Sequence, residues 1–161
     1  MLSVYDAVAF VEGSAQYPQI KGTVKFLAAD NGSWVEADFS GLPPYRSADA
    51  DHPQIGPFGF HIHENSVCGT SDGKEPFSAA GPHWNPTNQP HGNHAGDFPS
   101  LFPSQNGNAK MLFFTDRFRP SDIVGKTIMV HQSPDDYQTQ PSGNSGVRIA
   151  CGTVVPAVLL S

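Results

Sequence analysis

This chain of 161 residues has few features of a membrane or nucleic-acid-binding protein. No apolar run approaches the ~20 residues that a membrane helix needs, so we expect no membrane partner. Nine Lys and Arg face fifteen Asp and Glu, and the net charge of −6 argues against nucleic acid as a partner. The N-terminus, M-L-S-V-Y-D-A, lacks the basic and apolar regions of a signal peptide, which predicts either a mature form or a cytoplasmic protein.

Cysteine is also scarce, and helical periodicity is nearly absent. The two cysteines, Cys68 and Cys151, could be free buried thiols, metal ligands or a disulfide bridge. No segment sustains a 3.6-residue period, and only Ser121–Val124 could form one helical turn. The length is typical of a single domain, here residues 1–161.

The chain consists instead of short alternating segments, and its 16 glycines and 15 prolines fall mostly between them. In residues 33–39, Val35, Ala37 and Phe39 share one face and polar residues share the other, a pattern typical of a half-buried strand. Many short strands with Gly/Pro-rich turns predict an all-β sandwich or barrel. The predicted strands are 4–11, 21–28, 33–40, 57–63, 109–115, 126–131 and 148–155, with long loops at 64–108 and 132–147.

Histidine is the residue type that points to function, because six of the seven histidines share one metal-ligand pattern. His61 and His63 alternate with Phe58, Phe60 and Ile62, so both imidazoles project from one strand face. Their Cα atoms would lie ~7 Å apart, close enough for both rings to bind one ion.

A second cluster of potential ligands follows in the long loop. His91, His94 and Asp97 are spaced three and three, which is typical of zinc sites in which a turn brings neighbouring donors together. His83 and His131 supply two further imidazoles. His52 has no partner at ligand spacing and is interpreted as a solvated loop residue.

The longest motifs are G-F-H-I-H-E-N, G-P-H-W-N-P, H-A-G-D, V-G-K-T-I-M-V-H and G-N-S-G-V-R-I-A-C-G. In this order they resemble the copper/zinc superoxide dismutase family, and its bacterial branch most closely, over about Val8 to Val154. The resemblance implies a Greek-key β-barrel or sandwich of about eight antiparallel strands with long metal-binding loops. Alternation alone places seven of these strands.

The resemblance also implies roles for individual residues. The copper ligands would be His61, His63, His83 and His131. The zinc ligands would be His83, His91, His94 and Asp97, with His83 as the bridging imidazolate.

Further residues of the family pattern surround these ligands. Asp135 would link the two metal sites, Arg148 would lie over the copper, and Cys68 and Cys151 would form the intrachain disulfide. One departure is the zinc loop, because only two residues separate His91 from His94 where family members usually carry more.

The implied function is disproportionation of superoxide to O₂ and H₂O₂ by one-electron cycling of the four-histidine copper, with a structural zinc beside it. The catalytic residues would be Arg148 and His83, superoxide the substrate, and a homodimer one option for assembly. A stable disulfide favours a periplasmic or secreted location, whereas the N-terminus leaves the cytoplasm open.

Two other functions are compatible with these residues. A non-catalytic copper/zinc-binding relative of the dismutases would have lost ligands or the arginine, yet this chain keeps all four copper donors and Arg148. A zinc hydrolase would need a general base, and strand alternation places Glu64 away from His61 and His63.

Overall fold

A computed structural model describes residues 5–157. Its elements are β1 (Ala7–Gly13), β2 (Lys21–Ala29), β3 (Gly32–Ser40), β4 (Phe60–His63), β5 (Ala109–Thr115), α1 (Pro120–Ile123), β6 (Thr127–His131) and β7 (Arg148–Pro156), with one 3₁₀ turn at Ser78–Ala80. All seven strands form one curled antiparallel sheet in the order β4-β6-β7-β1-β2-β3-β5. The all-β prediction is therefore confirmed, as is the helical turn near Ser121.

The alternation in β3 determines which of its faces the core covers. Val35, Ala37 and Phe39 are buried, while Trp34 on the other face is 43% exposed. Phe39 packs edge-on against Phe60 of β4 at a ring-centroid distance of 5.9 Å. Fully burying an aromatic side chain of this size contributes roughly 1.5–3 kcal/mol, so the core between the two ends of the curled sheet is a major source of stability.

The fourth strand is shorter at its start than its sequence predicts. The fourth strand was predicted over 57–63, but it begins at Phe60, so that prediction was wrong at its first residues. Phe58 pairs instead with Leu101 in an isolated bridge, because the loop after β4 folds back along this segment. The first strand was predicted from residue 4, which lies outside the described residues, and the described part begins at Ala7.

The two long loops cover β4 and the end of β6. Residues 64–108 form isolated bridges from Asp97 to His61 and from His83 to His63, which place the loop along the free edge of β4. His61 and His63 are therefore buried, like the apolar residues that alternate with them. Among residues 5–157, no helix is long and apolar enough to span a membrane.

Candidate metal centre

The first group of donors comes from two neighbouring strands and one loop. His61 and His63 lie on β4, which pairs with β6, and His131 ends β6 at an irregularity after Val130. His131 lies two residues after Met129, the partner of His61, so its side chain shares the face of His61, and its Nε2 lies 3.3 Å from Nε2 of His63. With His83 from the loop, the four histidines have donor atoms within 4.8 Å of one another.

Backbone carbonyls orient two of these rings. Nδ1 of His63 lies 2.8 Å from the Gly81 carbonyl oxygen, and Nδ1 of His131 lies 3.1 Å from that of Gly146. A carbonyl oxygen only accepts, so each Nδ1 must donate. Each Nε2 is then the free acceptor, which is the arrangement that metal-binding histidines usually have.

The second group consists of His83, His91, His94 and Asp97, with donor atoms again within 4.8 Å. Oδ1 of Asp97 lies 3.3 Å from Nδ1 of both His83 and His94, and Oδ2 lies 3.4 Å from Nδ1 of His91. Zinc bonds of 2.0–2.1 Å in a tetrahedron separate neighbouring donors by about 3.3–3.4 Å. The spacing of this group therefore suits a tetrahedral ion.

Asp135 joins the two groups. Its Oδ2 accepts from Nε2 of His61 at 2.6 Å, and its Oδ1 accepts from Nε2 of His91 at 2.8 Å. The backbone N–H of Tyr137 donates to the same Oδ1 at 2.7 Å. The carboxylate thus fixes the Nε2–H tautomer of both rings and leaves each Nδ1 as a free acceptor.

The buried side-chain atoms without a hydrogen-bond partner test whether this site fits metal ions. Buried polar atoms are nearly always paired, so each exception needs an explanation. Apart from Thr127 Oγ1, the unpaired atoms among the described residues are His61 Nδ1, His83 Nδ1 and Nε2, His91 Nδ1, His94 Nδ1 and Asp97 Oδ1. All six belong to the two donor groups, and cations would satisfy them.

His83 is unusual because both of its ring nitrogens are buried and unpaired. Its Nδ1 faces Asp97 in the second group, and its ring centroid lies 4.0 Å from that of His61 in the first group. One imidazole with a free nitrogen toward each group can bridge two ions.

Burial keeps His61, His63 and His131 neutral. Burial removes water from the rings of His61 and His63 and holds the pKa of both well below the ordinary value. The neighbouring rings of His131 and His83 lower it further. Burial likewise lowers the pKa of His131 to about 3. Neutral imidazole is the form that binds metal, so the rings are ready to bind at neutral pH.

Asp97 remains ionised despite its burial. Burial alone raises the pKa of this carboxyl, but the adjacent rings of His83, His91 and His94 outweigh that effect and lower it. An ionised carboxylate among three imidazoles offsets part of the charge of a divalent cation.

A cavity of about 630 Å³ opens the first group to solvent. His63, His83 and His131 form its floor, and Arg148 lies on its wall. The guanidinium is held in place because Nη1 donates to the carbonyl of Phe77 and Nη2 to that of Gly81, both at 2.8 Å. A fixed cation beside a histidine cluster can bind a small anion.

The predicted disulfide between Cys68 and Cys151 is confirmed, with Cα atoms 5.7 Å apart. Cys151 lies on β7 three residues after Arg148, and Cys68 lies in the loop that carries Phe77. The bridge therefore ties the carbonyl groups that hold the guanidinium to the strand that carries it.

Two further sequence expectations have clear outcomes. His52 is exposed and hydrogen-bonds Asp49 away from both donor groups, as expected of a loop histidine. Glu64 was expected to face away from the histidines, but it lines the cavity. The strand ends at His63, so alternation does not govern the next residue, and the carboxylate pairs with Lys126 at 2.8 Å.

Sequence reasoning missed the groups that orient the ligands. The carbonyls of Gly81 and Gly146 and the N–H of Tyr137 are backbone groups, which carry no residue-type signal. Tyr137 also donates its hydroxyl to the Phe98 carbonyl at 3.0 Å, which joins the two long loops.

Two adjacent donor groups that share an imidazole, carried on a curled antiparallel sheet, define a β-barrel metalloprotein with a two-metal centre. Residues 20–154 match the family model described as copper/zinc superoxide dismutase (SODC). The chain therefore belongs to the copper/zinc superoxide dismutase family.

Bacterial relatives agree with this assignment. The chain is 34% identical over 153 residues to superoxide dismutase (Cu-Zn) of Deinococcus radiodurans, covering 85% of this chain and 78% of that protein. It is 31% identical over 156 residues to superoxide dismutase (Cu-Zn) of Legionella pneumophila, covering 92% and 86%. It is 30% identical over 151 residues to superoxide dismutase (Cu-Zn) 2 of Aquifex aeolicus, covering 84% and 80%.

Proposed function

We propose that this protein is a superoxide dismutase, an oxidoreductase with copper and zinc as cofactors that converts superoxide to O₂ and H₂O₂. Copper would be held by His61, His63, His83 and His131. Zinc would be held by His83, His91, His94 and Asp97. The observation that carries the proposal is His83, whose two unpaired buried nitrogens lie between the two groups.

The donor sets match the two metals. Copper(II) prefers nitrogen donors and heads the affinity order of divalent ions, and the first group is all imidazole. Zinc accepts three nitrogens and a carboxylate oxygen in a tetrahedron, as the second group offers. Copper, when bound, supplies the one-electron redox chemistry, and zinc has none.

The chain's own residues bind the substrate and move the proton. Arg148 docks the superoxide anion on the wall of the cavity, since its guanidinium is cationic at every physiological pH. His83 lines the same cavity, so its Nε2 can hold a proton and deliver it to the bound anion. Asp135 keeps the ring of His61 in place during turnover through its 2.6 Å hydrogen bond.

The non-catalytic alternative is disfavoured, because the donor groups keep every predicted copper ligand and Arg148 lies on the cavity wall. The hydrolase alternative is disfavoured as well. Its candidate base, Glu64, pairs through Oε1 with Lys126 at 2.8 Å and not with a residue of either donor group.

Location and assembly form part of the same proposal. An oxidising compartment, periplasmic or extracellular, suits the Cys68–Cys151 disulfide. A homodimer has support from exposed apolar side chains on the outer face of β2, β3 and β5, where Trp34 packs on Phe114 at 5.5 Å. Sedimentation equilibrium of the loaded protein distinguishes a dimer from a monomer.

The function is tested by measuring superoxide decay with protein loaded with both metals, with zinc alone and with copper alone. We expect activity only in the copper-containing forms. His52→Ala is the matched control, since this histidine is exposed and lies outside both groups. Full activity of zinc-only protein, or none with copper bound, would refute the proposal.

A further inference from the structure

The segment that precedes the turn with His91 and His94 has little apolar support. Only Gly92 and Asn93 separate the two ligands, and residues 86–90 before the turn are exposed. Burial of side chains therefore cannot hold the backbone that precedes this turn. Hydrogen bonds hold this backbone instead, and several of them come from other elements of the fold.

Gln140, in the loop 132–147, binds the backbone of His91 on both sides. Its Oε1 accepts from the His91 N–H at 2.7 Å, and its Nε2 donates to the His91 carbonyl at 3.2 Å. The primary amide satisfies one donor and one acceptor of the same residue. It therefore fixes the backbone on which the imidazole is mounted.

Arg117, two residues after β5, binds the other end of the turn. Its Nη1 donates to the His94 carbonyl at 2.7 Å, and its Nη2 donates to Oδ1 of Asn93 at 3.0 Å. The planar guanidinium makes both bonds in one rigid geometry. The two ends of the turn are thus held from two different elements.

Asp97 completes the arrangement from inside the turn. Its Oδ2 accepts from the N–H groups of Gly92 and His94 at 2.8 and 3.0 Å, while its Oδ1 remains free for metal. Gly92 also has a positive φ of 92°, and a side chain there would overlap the carbonyl of Tyr137. The turn and the loop 132–147 are therefore packed directly against each other.

We propose that Arg117 and Gln140 are positioning residues of the zinc site, which hold the turn so that its imidazoles meet Asp97. This inference rests on the proposed zinc role of the second group. Neither residue touches metal or substrate. Both fix the backbone of the turn from outside it, so they determine how long zinc stays bound.

The test is the rate of zinc release to a colorimetric chelator from the protein loaded with copper and zinc. Arg117→Met and Gln140→Leu should each release zinc at least tenfold faster, in the range found when groups that orient metal ligands are lost. Copper content after the same exposure should stay unchanged. Arg46→Met is the matched control, because it removes another exposed arginine–carbonyl bond, to Pro53, without touching the turn.

Conservative variants keep the test decisive if Arg117→Met or Gln140→Leu folds poorly. Arg117→Lys can still donate to the His94 carbonyl, and Gln140→Glu can still accept from the His91 N–H, so both should release zinc at intermediate rates. Zinc release within twofold of wild type in Arg117→Met and Gln140→Leu, whatever their melting temperatures, would overturn the positioning role. Absence of bound zinc in the wild type would instead overturn the proposed zinc site.

Discussion

Replacing Arg148 by isoleucine should slow superoxide decay by ten- to a hundredfold per bound copper. The guanidinium side chain is only 15% exposed and lies on the cavity wall, where charge is weakly screened. A unit charge about 4 Å from an anion at an effective dielectric near 20 is worth up to about 4 kcal/mol. Glu75, 4.0 Å from Nε, opposes part of this attraction. The expected loss corresponds to about 1.4–2.7 kcal/mol of barrier.

The same change should lower stability modestly, which the sequence alone did not predict. The carbonyls of Phe77 and Gly81 lose the guanidinium as a donor but keep the Ala80 N–H and the His63 ring, so the cost should be about 0.5–1.5 kcal/mol for each lost hydrogen bond. Copper content should persist, because the ring of His63 still donates to Gly81 at 2.8 Å. Activity must therefore be expressed per bound copper, from metal analysis of the same sample.

Ionic strength and the variant Arg148→Lys distinguish electrostatic attraction of superoxide from a purely structural role of Arg148. The wild-type rate should fall as ionic strength rises, because salt screens the anion from the guanidinium, and Arg148→Ile should lose most of that dependence. Arg148→Lys should retain part of the rate. An Arg148→Ile protein with a lower melting temperature but normal activity per bound copper would give Arg148 a structural role only. That result would refute its role in attracting superoxide.

Four further predictions concern the ligands and their supports. His131→Ala should abolish superoxide decay while circular dichroism keeps the β-sheet signal, and full activity would disprove the copper assignment. In Asp135→Asn the side chain cannot accept hydrogen bonds from both His61 and His91, so the affinity for both metals should fall 10–100-fold in chelator titrations. A loss of affinity at one metal site alone would contradict the linking role of Asp135. Gly143 has a φ of 71°, and Gly143→Ala would place a methyl group against Asp135. The free energy of unfolding in urea should therefore fall by at least about 1 kcal/mol, and an unchanged unfolding midpoint would contradict this close packing. Reduction of the disulfide should cost about 4–5 kcal/mol on the chain-entropy model, measured by denaturant unfolding with and without reductant, and no change would show that the loop is held by other contacts.

Sequence patterns predicted the strands because alternation is a local property. Val35, Ala37 and Phe39 are buried as their spacing predicts, and all seven predicted strands occur. Phe58 falls outside β4 because its partner is Leu101, more than forty residues later, and such a pairing leaves no local signal.

The candidate ligands were also predictable, since imidazole and carboxylate side chains are the donors themselves. The structure brings all seven together, and it adds the groups that orient them. Gly81 and Gly146 act through carbonyls, and Gln140 and Arg117 through contacts 49 and 23 residues distant along the chain. These orienting groups can be identified only from the three-dimensional arrangement of the loops.

Two different metals should share His83. X-ray diffraction from crystals of the loaded protein, collected on both sides of the copper and zinc absorption edges, tests this prediction most directly. We predict copper among His61, His63 and His131, zinc among His91, His94 and Asp97, and the imidazole of His83 bound to both ions in the oxidised protein. A single metal position, or two ions with His83 bound to only one of them in that state, would contradict the shared centre.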